Sequence, residues 1–575
     1  MTGTLASGRG VFSSGETACG LVASACDQAR SRELSGLAKS VCGSGEMGAL
    51  RMLAGSGPAG KPPASAALSF LAFGAVGAGA LAAAVPGAVD AWLLLLEARG
   101  TWEAADVLAY AIGYARDGHP LSAGAARAIA AVAGLFRDHW PASAARWLHA
   151  DGTPPRAGES VTNPAWAAVL ERLVAAGADA PTREARIRAA REEWATGFVA
   201  HKVELAAAQP HRHASGTDHA GVIRAADLAA FRAGFEPAVT TTFRGTVVAK
   251  AGPWSQGPAL LMALRILEPM DDALLDPSTA DGVHVIAETL KLVLADREAH
   301  LGDDAVPLEH LLSAAYAAER RALIGPGASH ELRPGGVGGG AMPPLRTRYR
   351  VSAGTAAGTG EPTLATPRDP EAVTPPDGAV RGDTCHIDAV DRWGNVVAVT
   401  PSGGWLQSSP EIPSLGFCLG TRLQTTWLEP GTASELRPGR RPRTTLTPTL
   451  LLRDGRAVSG LGTPGGDQQD QWQLLFLLRT LVGGWTPQQA VDAPAWHTTS
   501  FPESFWPRTW NPGGLTVEDR LGEDVIADLA ARGHRIRRAG DWSLGRLCAV
   551  TLDPATGAVG AAANPRGGLG YAAGR

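Results

Sequence analysis

The sequence is poor in cysteine, and its cysteines are not arranged as metal or redox sites. It has six of them in 575 residues, at positions 19, 26, 42, 385, 418 and 548. No two are separated by just two residues, which is the spacing typical of zinc ligands and redox pairs. We therefore expect no disulfide framework and no bound metal.

Charged residues are also scarce. They make up 19% of the chain, and the net charge is −4 at pH 7. Without a strong positive field, the protein would not attract nucleic acid or an anionic membrane. The arginines of residues 437–443 form a short basic segment, which is more typical of a solvated loop or an anion contact than of a nucleic-acid footprint. These features favour a small-molecule substrate, and no motif indicates a cofactor.

The N-terminus lacks the pattern of a leader peptide. The opening MTGTLASGRGVF has no basic region followed by an apolar run. We therefore expect a cytoplasmic protein, or a periplasmic or secreted one if the true start lies upstream. Residues 69–89 are apolar over the length of a membrane span, but they are mostly Ala and Gly and are interrupted by Pro86. We expect this segment to be buried in the protein and not stably inserted in a membrane.

Three regions differ in their secondary-structure pattern. Residues 88–323 have a mainly helical pattern. Residues 325–383 are dominated by Gly, Pro, Thr and Ala, a composition that predicts a linker or exposed loop. After the linker, the chain has a strand-rich pattern, in which alternating segments and turn sequences predict β-hairpins at residues 385–400, 449–458 and 549–561. The same signals predict one hairpin within the helical region, at residues 240–250. Helix-rich and strand-rich parts together indicate layers of helices packed on sheets.

Thr384 begins a predicted strand directly after the linker. A threonine hydroxyl is a weak nucleophile unless a base lies beside it, and a freed α-amino group on the same residue can be that base. Cleavage of the Asp383–Thr384 bond would create that group. From the local sequence alone, the simpler interpretation is an ordinary β-branched strand residue.

Two further segments have the composition of a substrate site. Residues 462–466, GTPGG, lie between a predicted strand and a predicted helix, and glycines there let backbone N–H groups converge on an oxyanion. Residues 441–448, RPRTTLTP, combine arginine with clustered hydroxyls, which suit a carboxylate-bearing substrate. The alternative interpretations are a tight turn and a β-branched strand entry.

The order and spacing of these segments resemble the gamma-glutamyltranspeptidase family. Its members carry a similar Thr-His strand, a Gly-Asn turn, an Arg-Pro loop with adjoining hydroxyls, and a Gly-x-Pro-Gly-Gly turn. Residues 288–303, ETLKLVLADREAHLGD, resemble the family's large-subunit helix, and NPR at residues 564–566 with Gly570-Tyr571 resembles its C-terminus. The resemblance covers residues 53–575.

The resemblance implies an α/β fold, a four-layer αββα sandwich of the N-terminal-nucleophile hydrolase type, made as one precursor or zymogen. Autocatalytic cleavage would divide a large subunit, residues 53–383, from a small catalytic subunit, residues 384–575. Residues 1–52 form a divergent N-terminus, and residues 325–383 are the linker. The two fragments would remain associated as a heterodimer or a higher oligomer.

The resemblance also implies the roles of the catalytic residues. Thr384 would be the nucleophile and its amino group the base, while Ser402 would be the second hydroxyl that supports this amino group. Gly465 and Gly466 would form the oxyanion hole. An acyl-Thr384 ester would form from an amide substrate and would then pass to water or to an amine.

The expected acyl site departs from the family pattern. The resemblance places Thr444 and Thr445 in it, but the family's large-subunit Arg-Glu pair is replaced by GSGPA at residues 55–59, and a family aspartate is absent. A substrate ammonium without a carboxylate partner loses a charge-assisted hydrogen bond. We therefore expect the acyl group not to be gamma-glutamyl, and we expect a carboxylate-bearing amide bound through Arg422 or Arg441.

Other functions fit parts of the sequence. Residues 1–52 lack the opening strand, helix and Gly-rich turn of such proteins, which would suit a catalytically silent, unprocessed family member acting as a binding or structural protein. Ser255 in GPWSQG imitates a serine nucleophile, but proline occupies a position where Gly-x-Ser-x-Gly needs glycine. GVGGGA at residues 336–341 lies in the linker and not between a strand and a helix. The histidines of residues 211–219 lie in a polar loop without a metal-binding scaffold.

Overall fold

The described part of the chain is interrupted at several places. In the computed structural model of the protein, it comprises residues 79–213, 216–337, 350–351, 384–402, 406, 408–505, 508–566 and 570–574. The divergent N-terminus and most of the predicted linker lie outside the described residues. The boundaries of the two subunits therefore remain predictions.

Helices dominate the first half of the described chain. Several begin at a residue whose side chain accepts a backbone N–H, as at Ser122, Asn163 and Thr279, which satisfies a donor that the helix itself leaves unpaired. The helices are α1 (Ala88–Arg99), α2 (Ala104–Asp117), α3 (Ala123–His139), α4 (Pro141–Trp147), α5 (Pro164–Ala175), α6 (Arg183–Thr196), α7 (Phe198–Ala207), α8 (Ala225–Ala230), α9 (Gly257–Leu267), α10 (Ala280–His300), α11 (Leu308–Leu311), α12 (Ala314–Arg321), α13 (Gln469–Leu481), α14 (Pro487–Asp492) and α15 (Glu523–Ala531).

Strands dominate the second half, and many are short. They are β1 (His119–Pro120), β2 (Ser160–Val161), β3 (His211–Arg212), β4 (Asp218–His219), β5 (Val239–Phe243), β6 (Thr246–Lys250), β7 (Arg350–Val351), β8 (Ile387–Val390), β9 (Val396–Val399), β10 (Glu411–Ile412), β11 (Phe417–Cys418), β12 (Thr449–Arg453), β13 (Arg456–Gly462), β14 (Trp496–Thr498), β15 (Thr509–Trp510), β16 (Gly514–Val517), β17 (Arg535–Arg538), β18 (Cys548–Leu552) and β19 (Val559–Ala563).

A six-stranded antiparallel sheet forms the centre of the protein, in the order β19-β18-β13-β12-β6-β5. Two of its hairpins turn at Arg244-Gly245 and Asp454-Gly455, where all four residues have positive φ, as two-residue type I′ turns require. The hairpins predicted at residues 240–250, 449–458 and 549–561 are therefore confirmed.

Helices cover one face of this sheet. Val248, Leu451 and Leu461 of the sheet share an apolar cluster with side chains of α9, α10 and α13. Helix α10 is buried on all sides from Gly282 to His300, so it is surrounded by protein. A buried helix needs partners for its polar groups, and α10 accordingly carries several ion pairs.

The β8–β9 hairpin covers the opposite face of the sheet. Leu450 and Leu452 point away from the cluster that contains Leu451, because side chains alternate along a strand, and they pack with Ala398 of β9. Gly460 of β13 allows this close approach, since a Cβ there would lie 3.1 Å from a side-chain carbon of β9. The hairpin predicted at residues 385–400 is confirmed.

The N-terminal helices form a separate apolar cluster. Side chains of α1, α5, α6, α7 and α8 pack around Trp194 and Val199, and Ile412 and Leu415 from beyond the linker insert into the same cluster. Asn163, the N-cap of α5, also donates from Nδ2 to Gly416 O (2.7 Å). The two predicted subunits therefore share a hydrophobic core.

The start of the described chain is buried. Residues 79–85 are buried and pass through a 3₁₀ turn at Ala80–Ala82 before α1. This confirms burial for part of the predicted apolar segment at residues 69–89, whose earlier residues lie outside the described part. None of the described helices combines the length and apolar character needed to cross a membrane.

The first residues of the predicted linker are packed against the protein. Ala328 N donates to Arg532 O (2.8 Å), and Ser329 N donates to Glu288 Oε1 (3.2 Å). Residues 325–337 are thus held by hydrogen bonds despite their Gly- and Pro-rich composition.

Lys250 and Asp470 form a buried ion pair between strand β6 and helix α13. Lys250 Nζ lies 2.9 Å from Asp470 Oδ1 and donates to Thr447 O and Thr449 Oγ1, both at 2.8 Å. Burial lowers the pKa of Lys250 and raises that of Asp470, and the charge of each partner opposes the shift of the other. Each buried charge therefore depends on its partner.

We predict that Lys250→Met lowers the free energy of unfolding by about 3–5 kcal/mol, because Asp470 would stay buried without its counter-charge. The shift of the urea-unfolding midpoint measures this loss. The double variant Lys250→Met/Asp470→Leu should recover much of it. Arg212→Met is the control, since its partner Asp218 has a side chain that is 55% exposed, and its effect should stay below about 1 kcal/mol. A Lys250→Met protein as stable as wild type would contradict the prediction.

Candidate active site

Thr384 and Ser402 face each other across the open end of the β8–β9 hairpin. The ladder of this hairpin pairs Ile387 with Val399, so Thr384 and Ser402 lie three residues beyond the paired ends on either side. Thr384 Oγ1 donates to Ser402 Oγ at 3.0 Å, and Ser402 is buried. The fold thus brings together the two hydroxyls that the sequence predicts to act together.

Arg422 joins this group of side chains. It begins the 3₁₀ turn Arg422–Thr425, is buried, and donates from Nη2 to Ser402 Oγ. Its guanidinium lies 5.6 Å from the ring centroid of Phe505. One of the two predicted carboxylate-binding arginines is therefore in direct contact with the Thr384–Ser402 pair.

The other predicted arginine, Arg441, is paired with protein carboxylates. Its Nε and Nη2 donate to Asp303 Oδ1 (2.9 and 2.7 Å), and its Nη1 donates to Glu236 Oε1 (2.5 Å). The guanidinium also lies 4.5 Å from the ring centroid of Trp254. Two carboxylates therefore already neutralise the charge of Arg441.

His386 and Asp388 follow Thr384 at intervals of two, and all three side chains lie on the less exposed side of this segment, as alternation along a strand requires. His386 Nδ1 lies 2.8 Å from Thr400 Oγ1, and its Nε2 lies 2.8 Å from Asp388 Oδ1. Burial raises the pKa of the Asp388 carboxyl, and His386 opposes this shift. A Cβ on Gly462 would lie 2.3 Å from the His386 ring. This pair was not predicted from the sequence, although the Thr-x-His-x-Asp spacing is a signal for it.

The predicted oxyanion turn connects β13 to α13. Gly465 and Gly466 have φ values of 135° and 57°, which favour glycine, and a Cβ on Gly465 would lie 2.5 Å from the Trp472 ring. Gly465 O accepts a hydrogen bond from Gln468 N (3.1 Å). Because the carbonyl and the next N–H point in opposite directions in a trans peptide, the Gly466 N–H points away from Gln468. The turn can therefore present this N–H to a ligand.

Thr444 and Thr445 lie in a buried segment beside the loop between β6 and α9. Thr444 N donates to Trp254 O (2.9 Å), and Thr444 Oγ1 accepts from Leu446 N (3.2 Å). Thr445 Oγ1 is buried and has no hydrogen-bond partner among the described residues. A buried hydroxyl without a partner is uncommon and indicates a place for a water molecule or a ligand.

A buried ion network holds these segments against helix α10. Arg297 donates to Asp467, which follows the glycine turn, and Arg443, which precedes the two threonines, donates to Glu298 Oε2 at 2.7 Å. Burial acts to raise the pKa of Glu298, but the charges of nearby arginines, Arg443 first, lower it overall. These pairs could not be predicted from the sequence, because their partners are 170 and 145 residues apart in the chain.

One group of side chains has the composition of a metal site. His284, Glu288 and His534 place potential ligand atoms within 4.8 Å of one another. However, His284 Nδ1 and His534 Nε2 share a hydrogen bond at 2.9 Å, and Glu288 accepts from Lys291 Nζ (2.6 Å) and Arg333 Nη2 (3.1 Å). Two cations already neutralise the carboxylate and would repel a metal ion. The contacts therefore describe a hydrogen-bonded, ion-paired cluster around α10.

Comparisons with known proteins match this architecture over most of the chain. The family model described as Gamma-glutamyltranspeptidase matches residues 44–574. The Acylase ACY 1 proenzyme of Pseudomonas sp. (strain SE83) is 29% identical over 491 residues, which span 84% of this chain and 74% of that protein. The solved structure of LmbA2991HD is 50% identical, with a TM-score of 0.80 over 89% of this chain and 85% of its own. The crystal structure of cephalosporin acylase from Bacillus halodurans is 24% identical, with a TM-score of 0.66 over 89% and 82% of the two chains.

These similarities agree with the layers seen here, a sheet with helices on one face and a β-hairpin sheet on the other. They confirm the predicted fold class, the αββα sandwich of the N-terminal-nucleophile hydrolases. The Pseudomonas relative is a proenzyme, as the predicted precursor would be. The chain therefore belongs to the gamma-glutamyltranspeptidase family, a family of autoprocessed amidohydrolases and acyltransferases.

Proposed function

We propose that this protein is an amidohydrolase or acyltransferase that cuts itself before Thr384 and then uses Thr384 to attack an amide substrate. The observation that carries this proposal is the hydrogen bond from Thr384 Oγ1 to Ser402 Oγ at 3.0 Å. In this bond Thr384, which directly follows the predicted linker, lies beside a second, buried hydroxyl, as a nucleophile and its supporting group require. The proenzyme relative supports the same chemistry.

Self-cleavage would begin with attack of Thr384 Oγ1 on the carbonyl carbon of Asp383. As the C–N bond breaks, the carbonyl carbon of Asp383 becomes ester-bonded to Thr384 Oγ1. The nitrogen of Thr384 takes up the hydroxyl proton and becomes a free amine. Water then hydrolyses the ester and separates the two fragments. They would stay together as a heterodimer because Ile412 and Leu415 are buried among the N-terminal helices.

In the cut protein, the α-amino group of Thr384 would be the base. It accepts the hydroxyl proton as Oγ1 attacks the substrate carbonyl, and the proton then passes to the leaving amine. Ser402 would support this amino group, and the positive charge of Arg422, which donates to Ser402 Oγ, would favour its uncharged form. Water or another amine then attacks the acyl ester and regenerates the hydroxyl.

Gly465 and Gly466 would form the oxyanion hole. The negative charge that develops on the substrate oxygen needs donors already in place, and one such donor contributes about 10²- to 10³-fold to kcat. Backbone N–H groups of a glycine turn can supply them without a side chain in the way.

The acyl site would accept a carboxylate-bearing group. Arg422 provides a buried cation, and Thr445 Oγ1 provides a buried hydroxyl that lacks a partner among the described residues. Together with Thr444, they complement a carboxylate by charge and by hydrogen bonding. We favour Arg422 over Arg441, because the latter is paired with two protein carboxylates.

We predict that Thr384→Ala remains a single chain, whereas the wild-type protein is recovered as two fragments divided before Thr384. The alanine has no oxygen to attack the peptide bond. Intact masses measured under denaturing conditions distinguish the two results. Thr384→Ser, which keeps a hydroxyl, is the matched control and should be cut.

An uncut wild-type chain would instead favour the second candidate function, a catalytically silent binding or structural protein. The divergent sequence of residues 1–52 is the observation behind that alternative. Cleavage of Thr384→Ala at the same bond would show that another residue is the nucleophile.

We predict that Arg422→Met reduces the preference for carboxylate-bearing acyl groups. Glutaryl-p-nitroanilide and pentanoyl-p-nitroanilide differ by a carboxylate in place of a methyl group, so the ratio of their kcat/KM values cancels any general loss of activity. A hydrogen bond to a charged group contributes about 1.5–3 kcal/mol, and the ratio should therefore fall roughly 10- to 100-fold.

Arg441→Met is the control for this experiment, because its guanidinium is paired with Asp303 and Glu236. In Arg441→Met, the ratio of kcat/KM for the glutaryl and pentanoyl anilides should match that of the wild type. A lower ratio in Arg441→Met alone would assign the carboxylate to Arg441. Strong selectivity for gamma-glutamyl-p-nitroanilide over both other substrates would contradict the proposed acyl group.

A further inference from the structure

The loop between β6 and α9 contains Ser255, whose hydroxyl has a structural role. Ser255 Oγ donates to Gly252 O (2.9 Å) and accepts from Gly257 N (3.0 Å), and the residue is fully buried. The interpretation of GPWSQG as a serine-nucleophile motif therefore fails on geometry as well as on spacing. The next residue, Gln256, is the one that reaches the proposed active site.

Gln256 contacts both the predicted acyl site and the predicted oxyanion turn. Its backbone N donates to Thr444 O (3.0 Å), and its side-chain Nε2 donates to Gly466 O (3.4 Å). The residue is 1% exposed. Gln256, which precedes the linker, thus connects the threonine segment and the glycine turn, which both follow the linker.

Arg297 determines how the Gln256 amide is oriented. Arg297 Nη1 donates to Gln256 Oε1 at 2.9 Å, and a guanidinium can only donate, so the amide oxygen must face it. The amide nitrogen must then face Gly466 O. Arg297 also donates to Asp467, so one guanidinium holds both Gln256 and the residue that follows the glycine turn.

The glycine turn needs this support because a glycine backbone has little conformational preference of its own. Gly466 O accepts from the Gln256 side chain and from the backbone N–H of Gln469, and these two hydrogen bonds together orient the peptide plane after Gly466. The hydrogen bond from Gln468 N to Gly465 O (3.1 Å) orients the peptide plane before it. With both planes held, the direction of the Gly466 N–H is set.

We propose that Gln256 is a positioning residue that keeps the oxyanion turn aligned with the acyl site. This inference rests on the proposed function, because it requires Gly465 and Gly466 to stabilise charge on the substrate oxygen. Gln256 acts through the carbonyl of Gly466 and does not touch the reacting atoms.

Two variants separate the contact with Gly466 from the contact with Arg297. Gln256→Glu keeps an oxygen facing Arg297 but places a second oxygen against Gly466 O, so repulsion replaces a hydrogen bond. Gln256→Met has a side chain of similar length and removes both contacts. In both variants the backbone N–H can still donate to Thr444 O, so the acyl site keeps its alignment.

Both variants should lower kcat for glutaryl-p-nitroanilide by about 10- to 100-fold, since small displacements of catalytic donors are costly. KM should change little, because the turn acts on the transition state and not on ground-state binding. The melting temperature, measured by calorimetry, shows whether each variant is folded. Ser255→Ala, in the same loop, is the control, and it should lower the melting temperature while leaving kcat unchanged.

Gln256→Glu is the decisive variant, since Arg297 keeps its partner. A wild-type kcat in this variant, or a loss that appears only in KM, would overturn the inference and leave the proposed function in place. A wild-type protein that is neither cut nor active on the glutaryl, pentanoyl or gamma-glutamyl anilide would overturn both. A reduced kcat in a folded Gln256→Glu protein, with unchanged KM, supports the inference.

Discussion

The buried ion pairs between helix α10 and the loops of the proposed active site are the constraint on which the site geometry depends. Consecutive residues of this helix, Arg297 and Glu298, pair with Asp467 and Arg443. A buried charge is strongly unfavourable without its partner. If a loop moved away from the helix, a charged side chain would either become exposed to water or stay buried without its partner. This holds in place the threonine segment and the glycine turn, which leads from β13 into the short 3₁₀ helix Gly466–Gln468.

The same network crosses the proposed cleavage point. Helix α10 and Gln256 precede Thr384 in the chain, whereas Asp467 and Arg443 follow it. The interactions that align the oxyanion turn would thus also hold the two fragments together after cleavage. Association of the fragments and geometry of the site would then depend on the same contacts, and weakening one would weaken the other.

The proposed nucleophile and the groups expected to select the substrate lie on different elements. Thr384 and Ser402 lie at the end of a hairpin whose position is determined by its packing on the central sheet, while Arg422 belongs to a short 3₁₀ turn. A substitution in the 3₁₀ turn can therefore change which acyl group the protein prefers without moving the hairpin. This arrangement explains how the fold and the acyl-transfer chemistry of a family can persist while its substrates differ.

By itself, the sequence determined the features that depend on neighbouring residues. The hairpin at Arg244-Gly245 could be predicted because turn chemistry is encoded within a few residues, and the order of short motifs around Thr384 was enough to indicate the family. The sequence left open whether Arg422 or Arg441 binds a carboxylate and did not reveal Gln256 at all. Only the tertiary structure brought Arg441 to Asp303 and Glu236, and Gln256 to Gly466. These contacts join residues far apart in the chain, and local patterns carry no information about which distant groups will meet when the core closes.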